Sequence, residues 1–440
     1  MIEGDPGADI WGMDVARYGD WTTMAYTNAK VRENYSRRFR VRFPGEELPA
    51  GRPLRTTPLY DTLDREGALF GAAYGLEYPL WYAKDGEARE EAWSFRRNNA
   101  FAAVARECRA VREGVGLMEI STYAKYDVTG PKAEEFLDRI LANRLPREGR
   151  ITLAPMLGEN SRLLGDFTVA RLSDERFFVI GSGIAEAYHM RWFERFLPDG
   201  GAMIRPYGID LVGLTIAGPK ARDLLASIVH EDVSNAAFPL LAIRPMEVGL
   251  VPALVGRISF TGDLGYEIWV KPEHERALYK TLVEAGAPFG LKLFGSRALH
   301  SLRLAKGYGS WAREYRPIYT ATEAGLDRFV ALNKGEFVGS EAALRAREDG
   351  GAYRLVNFEV DASDADASGD EPILHEGKTV GWVTSSAFAH THDVSLAMGY
   401  VRKEVAPALD GFAIEIMGEG RRARRLEQPM FDPDGLRMRG

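Results

Sequence analysis

One pattern occurs twice in this chain and restricts what it can fold into. YDVTGPKAEEFLDRIL (126–141) is matched by GLTIAGPKARDLLASIV (213–229), each reading as a strand, a Gly-Pro-Lys-Ala turn and an amphipathic helix. Glycine releases the strand into the turn, and proline suits the first turn of a helix, where its missing N–H costs nothing. After each helix come two β-rich segments and another helix: GDFTVARL, RFFVIGSG and AYHMRWFERFL, then LVPALVGRISFTG, YEIWVKP and HERALYKTLVEAG. A repeated β-α-β-β-α unit predicts α+β domains with antiparallel sheets.

A chain of 440 residues exceeds one hydrophobic core. Residues 1–90 are rich in aromatics, Arg, Gly and Pro and read as an extension with a helical stretch near Tyr26–Tyr35, lying on another surface. Residues 91–345 hold the two repeated units. From 346 to 440 short strands alternate with turns (RLVNFEV, TVGWVTSS, SLAMGYV, FAIEIM), which suits a small closed β-barrel. VDASDADASGDEP (Val360–Pro372) reads as a solvated acidic loop.

Several function classes are set aside. A net charge of −7 argues against a general nucleic-acid binder. No apolar run approaches membrane-spanning length, and the acidic N-terminus lacks an apolar signal core, so the expected address is cytoplasmic. The single cysteine, Cys108, excludes an intramolecular disulfide and reads as a core residue. GSGIAE (Gly181–Glu186) lacks the third glycine of a dinucleotide fingerprint and carries Glu186 there, so it reads as an ordinary strand-to-helix turn. His390-Thr-His392 has no carboxylate or thiol at ligand spacing, and no metal is expected.

Two acidic segments then stand out, SRLLGDFTVARL (161–172) and GRISFTGDLGYEIWV (256–270). Asp166 follows Gly165 ahead of an alternating strand. It either stabilises a turn by accepting a backbone N–H or faces a ligand. Glu267 lies among apolar and aromatic neighbours, where a carboxylate faces solvent or receives donors; alternation leaves both open. Asp263 reads as a turn residue. The two segments occupy similar places in the two copies, which suggests one site between pseudo-equivalent halves.

At these residues the chain resembles the aminomethyltransferase (T-protein) family of the glycine cleavage system, and within it the folate-binding C-terminal half of dimethylglycine and sarcosine dehydrogenases. The resemblance rests on VGLMEISTYAKYDVTGPKAEEFL, TLAPMLGENSRLLGDFTVARL, ISFTGDLGYEIWV, GSRALHSLRLAKGYGSWAREY, YTATEAGLDRFVALNKGEFVGSEAAL, VTSSAFAHTHDVSLAMGYV and PMFDPDGLRMR, in order over roughly residues 75–440. It implies a three-lobed fold around tetrahydrofolate and a one-carbon transferase or demethylase acting on a methylated amine such as dimethylglycine or sarcosine. Asp166 falls on the family's catalytic acid, which orients folate near N5 and N10 and favours positive charge electrostatically. Glu267 falls on the residue that accepts the paired donors of the pterin, a fork that a carboxylate matches. Phe260 stands where tyrosine is usual and contacts the pterin face. Arg297 holds the folate region or a carboxylate, and Ser182 and Tyr123 replace a family Asn and Met. Departures fall at Ser386 and His392-Asp393, near the implied ligand entrance. Glu336 replaces the cysteine of the related iron–sulfur and tRNA-maintenance folate proteins, which counts against that branch. DIWGMDVARYG and RPLRTTPLYDTL resemble the segment joining flavin and folate halves in the dehydrogenases. With no flavin half in the sequence, the chain reads as a free-standing folate enzyme or as a non-catalytic, folate-binding subunit beside a flavoprotein partner.

Overall fold

The computed structural model describes residues 10–19 and 21–440. The acidic opening, residues 1–9, lies outside the described residues, as does part of the DIWGMDVARYG segment. The fold is α+β, with two antiparallel-rich sheets followed by a closed barrel. The first sheet runs Ile151–Leu157, Leu163–Ser173, Arg176–Gly181, Ala124–Thr129, Met203–Pro206. The second runs Ile243–Val248, Val251–Gly256, Gly265–Val270, Val212–Ala217, Gly116–Glu119, Lys292–Leu293. The first four strands of each occur in the same order, so the sequence repeat is also a repeat of topology.

Beyond the expected pattern, each sheet is extended at one edge and gains at the other a strand next after the helix that follows its Gly-Pro-Lys-Ala turn, Ile151–Leu157 and Ile243–Val248. Both are edge strands and both contain a proline, Pro155 and Pro245. Proline removes a ladder donor, which an edge position tolerates and which hides the strand from a pattern search. The paired turns match closely: Gly130 and Gly218 take φ of 115° and 132°. A Cβ there would come 2.5 Å from the Gly201 carbonyl oxygen and 2.4 Å from that of Gly114. Only glycine serves at either place.

The sheets face one another through Ile151, Ala170, Phe178 and Ile180 on one side and Ile243 and Trp269 on the other. The opposite face of the second sheet packs on Leu278 and Leu282 of the helix Pro272–Gly286, joined by Leu59, Leu63, Ala68 and Tyr82. The last four come from the N-terminal segment: the helix Tyr60–Arg65 and the hairpin Ala68–Ala73/Leu76–Tyr82 build part of this core. By contrast, the helix Met24–Ser36 buries no residue.

The helix Ala100–Glu113 presents Ala100, Ala103, Val104, Glu107, Cys108 and Val111 on one buried face, the spacing of an inward stripe. Glu107 on that stripe accepts the Tyr82 and Gly295 amides at 2.7 and 2.8 Å. It thereby ties the hairpin to the start of the helix Ser296–Ala305. Burial pushes its carboxyl up to about 7, against the pull of these two donors.

The barrel closes in the order Tyr353–Val360, Val394–Arg402, Lys378–Ala389, Pro372–His375, Phe412–Ile416, Glu419–Leu426. The acidic loop between the barrel strands Tyr353–Val360 and Pro372–His375 is not simply solvated. Ala362, Ala365 and Ala367 join the barrel core, while Asp366 forms an ion pair with Arg97 at 2.9 Å. No helix among the described residues is long and apolar enough to cross a membrane.

Asp263 lies in the bend before Gly265–Val270, as its reading as a turn residue has it, and its carboxyl does more than hold the turn. It is 1% exposed and takes Arg112 Nη1 at 2.6 Å and Arg437 Nε at 2.9 Å. Arg112 also donates to the Thr261 and Leu302 carbonyls. One carboxylate therefore fastens the helix Ala100–Glu113, the loop before Gly265–Val270 and the C-terminal segment. Removing one partner of a buried pair strands the other charges, at a cost of about 3–5 kcal/mol. Asp263→Ala should lower unfolding stability by that amount in urea titration; a loss below about 1 kcal/mol, the range of surface pairs, would refute the keystone role.

Candidate functional site

Asp166 and Glu267 do not occupy equivalent places. Asp166 lies on the second strand of the first sheet and Glu267 on the third strand of the second. The symmetric arrangement inferred from the repeat is therefore corrected: the two carboxylates come from different positions in the copies.

Glu267 sits on a strand buried along its whole length, paired across to Thr215 and Gly256. It is 7% exposed, and burial pushes its carboxyl up to about 8, offset only by a hydrogen bond from the Trp269 side chain. A carboxylate has about four acceptor sites, so this one is short of donors. Tyr123 lies beside it: burial and the nearby Glu267 charge push the phenol up, and the Tyr123 and Trp269 rings are 6.4 Å apart. Ser182 precedes the turn Gly183–Ala185, where a Cβ on Gly183 would collide with the Thr122 carbonyl. This close approach sets the Ser182 turn against the Thr122–Tyr123 turn. Ser182 makes no capping hydrogen bond and keeps partial exposure.

Asp166 is half-buried. Burial pushes its carboxyl up to about 7, its own amide pulls it down, and Glu314 pushes it up again. Neighbouring Tyr315 is likewise raised, by burial first and by Asp166 second. Glu314 is fully buried and held by Arg303 at 3.2 Å, Thr384 Oγ1 at 2.7 Å and the Ser310 amide at 2.9 Å. Arg303 continues to the Tyr308 carbonyl at 2.7 Å and Ser385 Oγ at 2.8 Å. Tyr308 stacks on Phe260 with ring centroids 5.9 Å apart and planes 13° from parallel. The Arg303–Glu314 network thus reaches Ser385 and Thr384 of the barrel, and Glu314 acts on Asp166 through its charge.

Arg297 stands apart in its partner. It forms an ion pair with Glu91, whose side chain is 3% exposed, so its guanidinium is already engaged by a carboxylate of this chain. His390 is buried against Phe101 and Phe388, with ring centroids 4.6 and 5.2 Å away. Among the described residues no cluster of three or more His, Cys, Asp or Glu could hold a metal ion.

Sequence reasoning missed Arg303, Glu314, Tyr315 and Thr384. A signal existed for the first: Arg303 lies four residues after Leu299 and next to Leu302, inside the apolar stripe of its helix. A cation on such a stripe is buried only with a partner.

With this geometry in view, comparison with known proteins gives a consistent result. Residues 59–334 match the GCVT N-terminal domain and residues 354–432 the glycine cleavage T-protein C-terminal barrel domain. Residues 3–57 match the FAD dependent oxidoreductase central domain. The chain is 33% identical over 443 residues to the mitochondrial dimethylglycine dehydrogenase of Rattus norvegicus, covering 100% of this chain and 52% of that protein. It is 29% identical over 391 residues to an aminomethyltransferase of Symbiobacterium thermophilum, covering 86% of this chain and 97% of the other. The crystal structure of glycine cleavage system aminomethyltransferase T from Bartonella henselae matches with a TM-score of 0.74 at 26% identity, over 86% of this chain and 99% of that one. The chain spans about half the length of the dimethylglycine dehydrogenase it matches.

The two raised carboxyls set a pH dependence. Their ordinary values are 3.8 and 4.5, against about 7 and about 8 when folded. The folded state then binds more protons than the unfolded chain in the interval between, so stability falls as pH rises through it. Asp166→Asn and Glu267→Gln abolish this loss. Each should raise Tm, and the gain should be larger at pH 8 than at pH 5. A gain independent of pH would mean that the carboxyls are not the cause.

Proposed function

The chain belongs to the glycine cleavage T-protein family, and on that premise we propose that it is a tetrahydrofolate-dependent one-carbon transferase or demethylase. Its substrate is a methylated amine such as dimethylglycine or sarcosine. The observation that carries the reading is Glu267: a buried carboxyl with one side-chain donor, on a rigid strand, in a site walled by Tyr123 and Trp269. That donor set fits a flat heterocycle presenting two parallel N–H groups, as the pterin of tetrahydrofolate does.

Glu267 grips that edge, and Ser182 and Tyr123 shape the space beside it. Phe260, held flat by Tyr308, offers an aromatic face. Arg297 acts from its pair with Glu91, fixing the start of its helix. Tetrahydrofolate supplies, when bound, the nitrogens that accept the one-carbon unit. Asp166 is the catalytic residue. Poised near neutrality by burial, its carboxylate form stabilises positive charge developing on the substrate amine without solvent reorganisation. The Arg303–Glu314 pair is a positioning element that fixes the surroundings of Asp166 and of Tyr308.

A second reading keeps the same site but makes the chain the folate-binding part of a flavin-dependent dehydrogenase. The match of residues 3–57 to a flavoprotein domain favours it. Folate-dependent turnover by the purified chain alone supports the first reading. Turnover only after addition of a flavoprotein supports the second.

Calorimetric titration with tetrahydrofolate tests the core of both. Bonds to the carboxylate form lower the Glu267 value on binding, so binding at pH 7 should release a proton. The apparent enthalpy should then depend on the ionisation enthalpy of the buffer, and Glu267→Gln should remove that dependence. Asp166→Ala should cut turnover by on the order of 100-fold with folate affinity nearly kept, whereas Glu267→Ala should chiefly weaken binding. Absence of any binding at millimolar folate would refute the assignment.

A further inference from the structure

The strand Leu163–Ser173 changes character just before Asp166. From Ala170 back to Gly165 it pairs in step with Ile151–Leu157, and then the register slips: Gly165 faces Met156, but Leu157 faces Leu163. Leu164 is left over as the extra residue of a β-bulge. Bulges bend a strand and re-aim the side chains beside them, and they recur next to active sites. On the strand's other side, the ladder with Arg176–Gly181 reaches only as far as Thr168 and Ile180. Pro155, opposite Asp166, has no N–H to give and turns its carbonyl to the Ala142 amide at 2.8 Å. The ladder is thinnest where Asp166 sits.

Two buried side chains hold the bulge instead. His189 Nε2 lies 3.0 Å from the Leu164 carbonyl oxygen, and Trp311 Nε1 donates to the same oxygen at 2.9 Å. A carbonyl only accepts, so the imidazole proton is on Nε2, while Nδ1 faces the Tyr126 hydroxyl at 3.5 Å. His189 has no exposed surface and Trp311 is 3% exposed. Desolvation pushes His189 down to about 3, so it is a neutral donor at physiological pH. Its ring stands edge-on to Phe167 and Trp311, with centroids 4.7 and 5.4 Å away. In such apolar surroundings an N–H is costly unless bonded, which commits both donors to this oxygen. Gly165 makes room for the arrangement: a Cβ there would come 3.0 Å from His189 Nε2 and 2.6 Å from the Phe167 ring. The donors come from separate elements. His189 belongs to the helix Glu186–Phe196, whereas Trp311 opens the turn holding Glu314 and Tyr315, the groups coupled by charge to Asp166.

We infer that His189 and Trp311 are positioning residues for Asp166: their two N–H groups grip the Leu164 carbonyl and fix the bulge that aims the Asp166 carboxyl. They act through the backbone two residues before that carboxyl. A charge stabilises a transition state only from a fixed place, and a displacement of about 1 Å can cost on the order of 100-fold in rate. The inference rests on the role proposed above for Asp166 in what it predicts for turnover, and on the geometry alone in what it predicts for the strand.

Trp311→Phe and His189→Phe keep an aromatic ring and remove the donor, whereas His189→Gln keeps an N–H near the place of Nε2. In turnover of the full chain with tetrahydrofolate, each Phe variant should lower kcat at least about tenfold, with KM and folate affinity unchanged. His189→Gln should retain most of the kcat. The same Phe substitutions made together with Asp166→Ala should cost no further activity, because residues that act as a unit are not additive. Equal losses with and without Asp166 would reduce the pair to a structural role and overturn the inference. Unaltered kcat in both Phe variants would overturn it too. If Asp166→Ala itself leaves turnover intact, the proposed function fails instead, and amide hydrogen exchange then reads the strand directly. Exchange over residues 163–167 should speed up at least about tenfold in each Phe variant, while residues 168–170, paired on both sides, keep their rate. Unchanged exchange over 163–167 would overturn the inference whether or not the chain turns over. Trp311→Phe alone decides the matter where His189→Phe fails to fold.

Discussion

The ion pair between Arg112 and Asp263 is the interaction on which the rest of the molecule leans. Its atoms are 2.6 Å apart and excluded from water, where charge-assisted bonds are strong and unpaired charges are expensive. Arg112 belongs to a helix packed against the N-terminal hairpin. Asp263 belongs to the loop that delivers Phe260 on one side and the strand of Glu267 on the other. Arg437 then adds the C-terminal segment to the same carboxylate. Three parts of the chain are held in register by one group, and Phe260 and the strand of Glu267 inherit that register.

Against this rigid background the molecule tolerates carboxyls in places that disfavour them. Glu107 satisfies two backbone amides and acts as a staple. Asp166 and Glu267 lack such compensation, and their ionised forms are costly in the folded chain. Strain of this kind concentrates where a ligand is to supply what the protein withholds. Glu314 shows the contrast: fully buried, it has Arg303, Thr384 and Ser310 around it, so its charge is compensated within the protein.

Much of the fold was legible because it is periodic. The Gly-Pro-Lys-Ala turns announced the duplicated unit, and alternation announced the barrel. Glu267 was conspicuous because a carboxylate amid Tyr266, Ile268 and Trp269 breaks the pattern. What could not be read lacks local signature. Pro155 and Pro245 disguised two edge strands. The ion pairs of Asp263 left no local sign because its partners lie 151 and 174 positions away. Arg303 went unnoticed because its neutralising carboxylate, Glu314, comes from a later loop. Alanines in the acidic loop turned inward because the barrel needed small plugs, a demand that composition does not reveal.

The interleaving of the two sheets bears on how the chain assembles. Gly116–Glu119 precedes the whole first unit, yet it pairs with Val212–Ala217 and, in parallel, with Lys292–Leu293. The first unit is therefore an insertion between neighbouring strands of the second sheet. Once it folds, its ends lie side by side, and the entropy of closing that long loop has already been spent. The second sheet cannot be completed until the segment near residue 293 is in place, because its last strand comes from there.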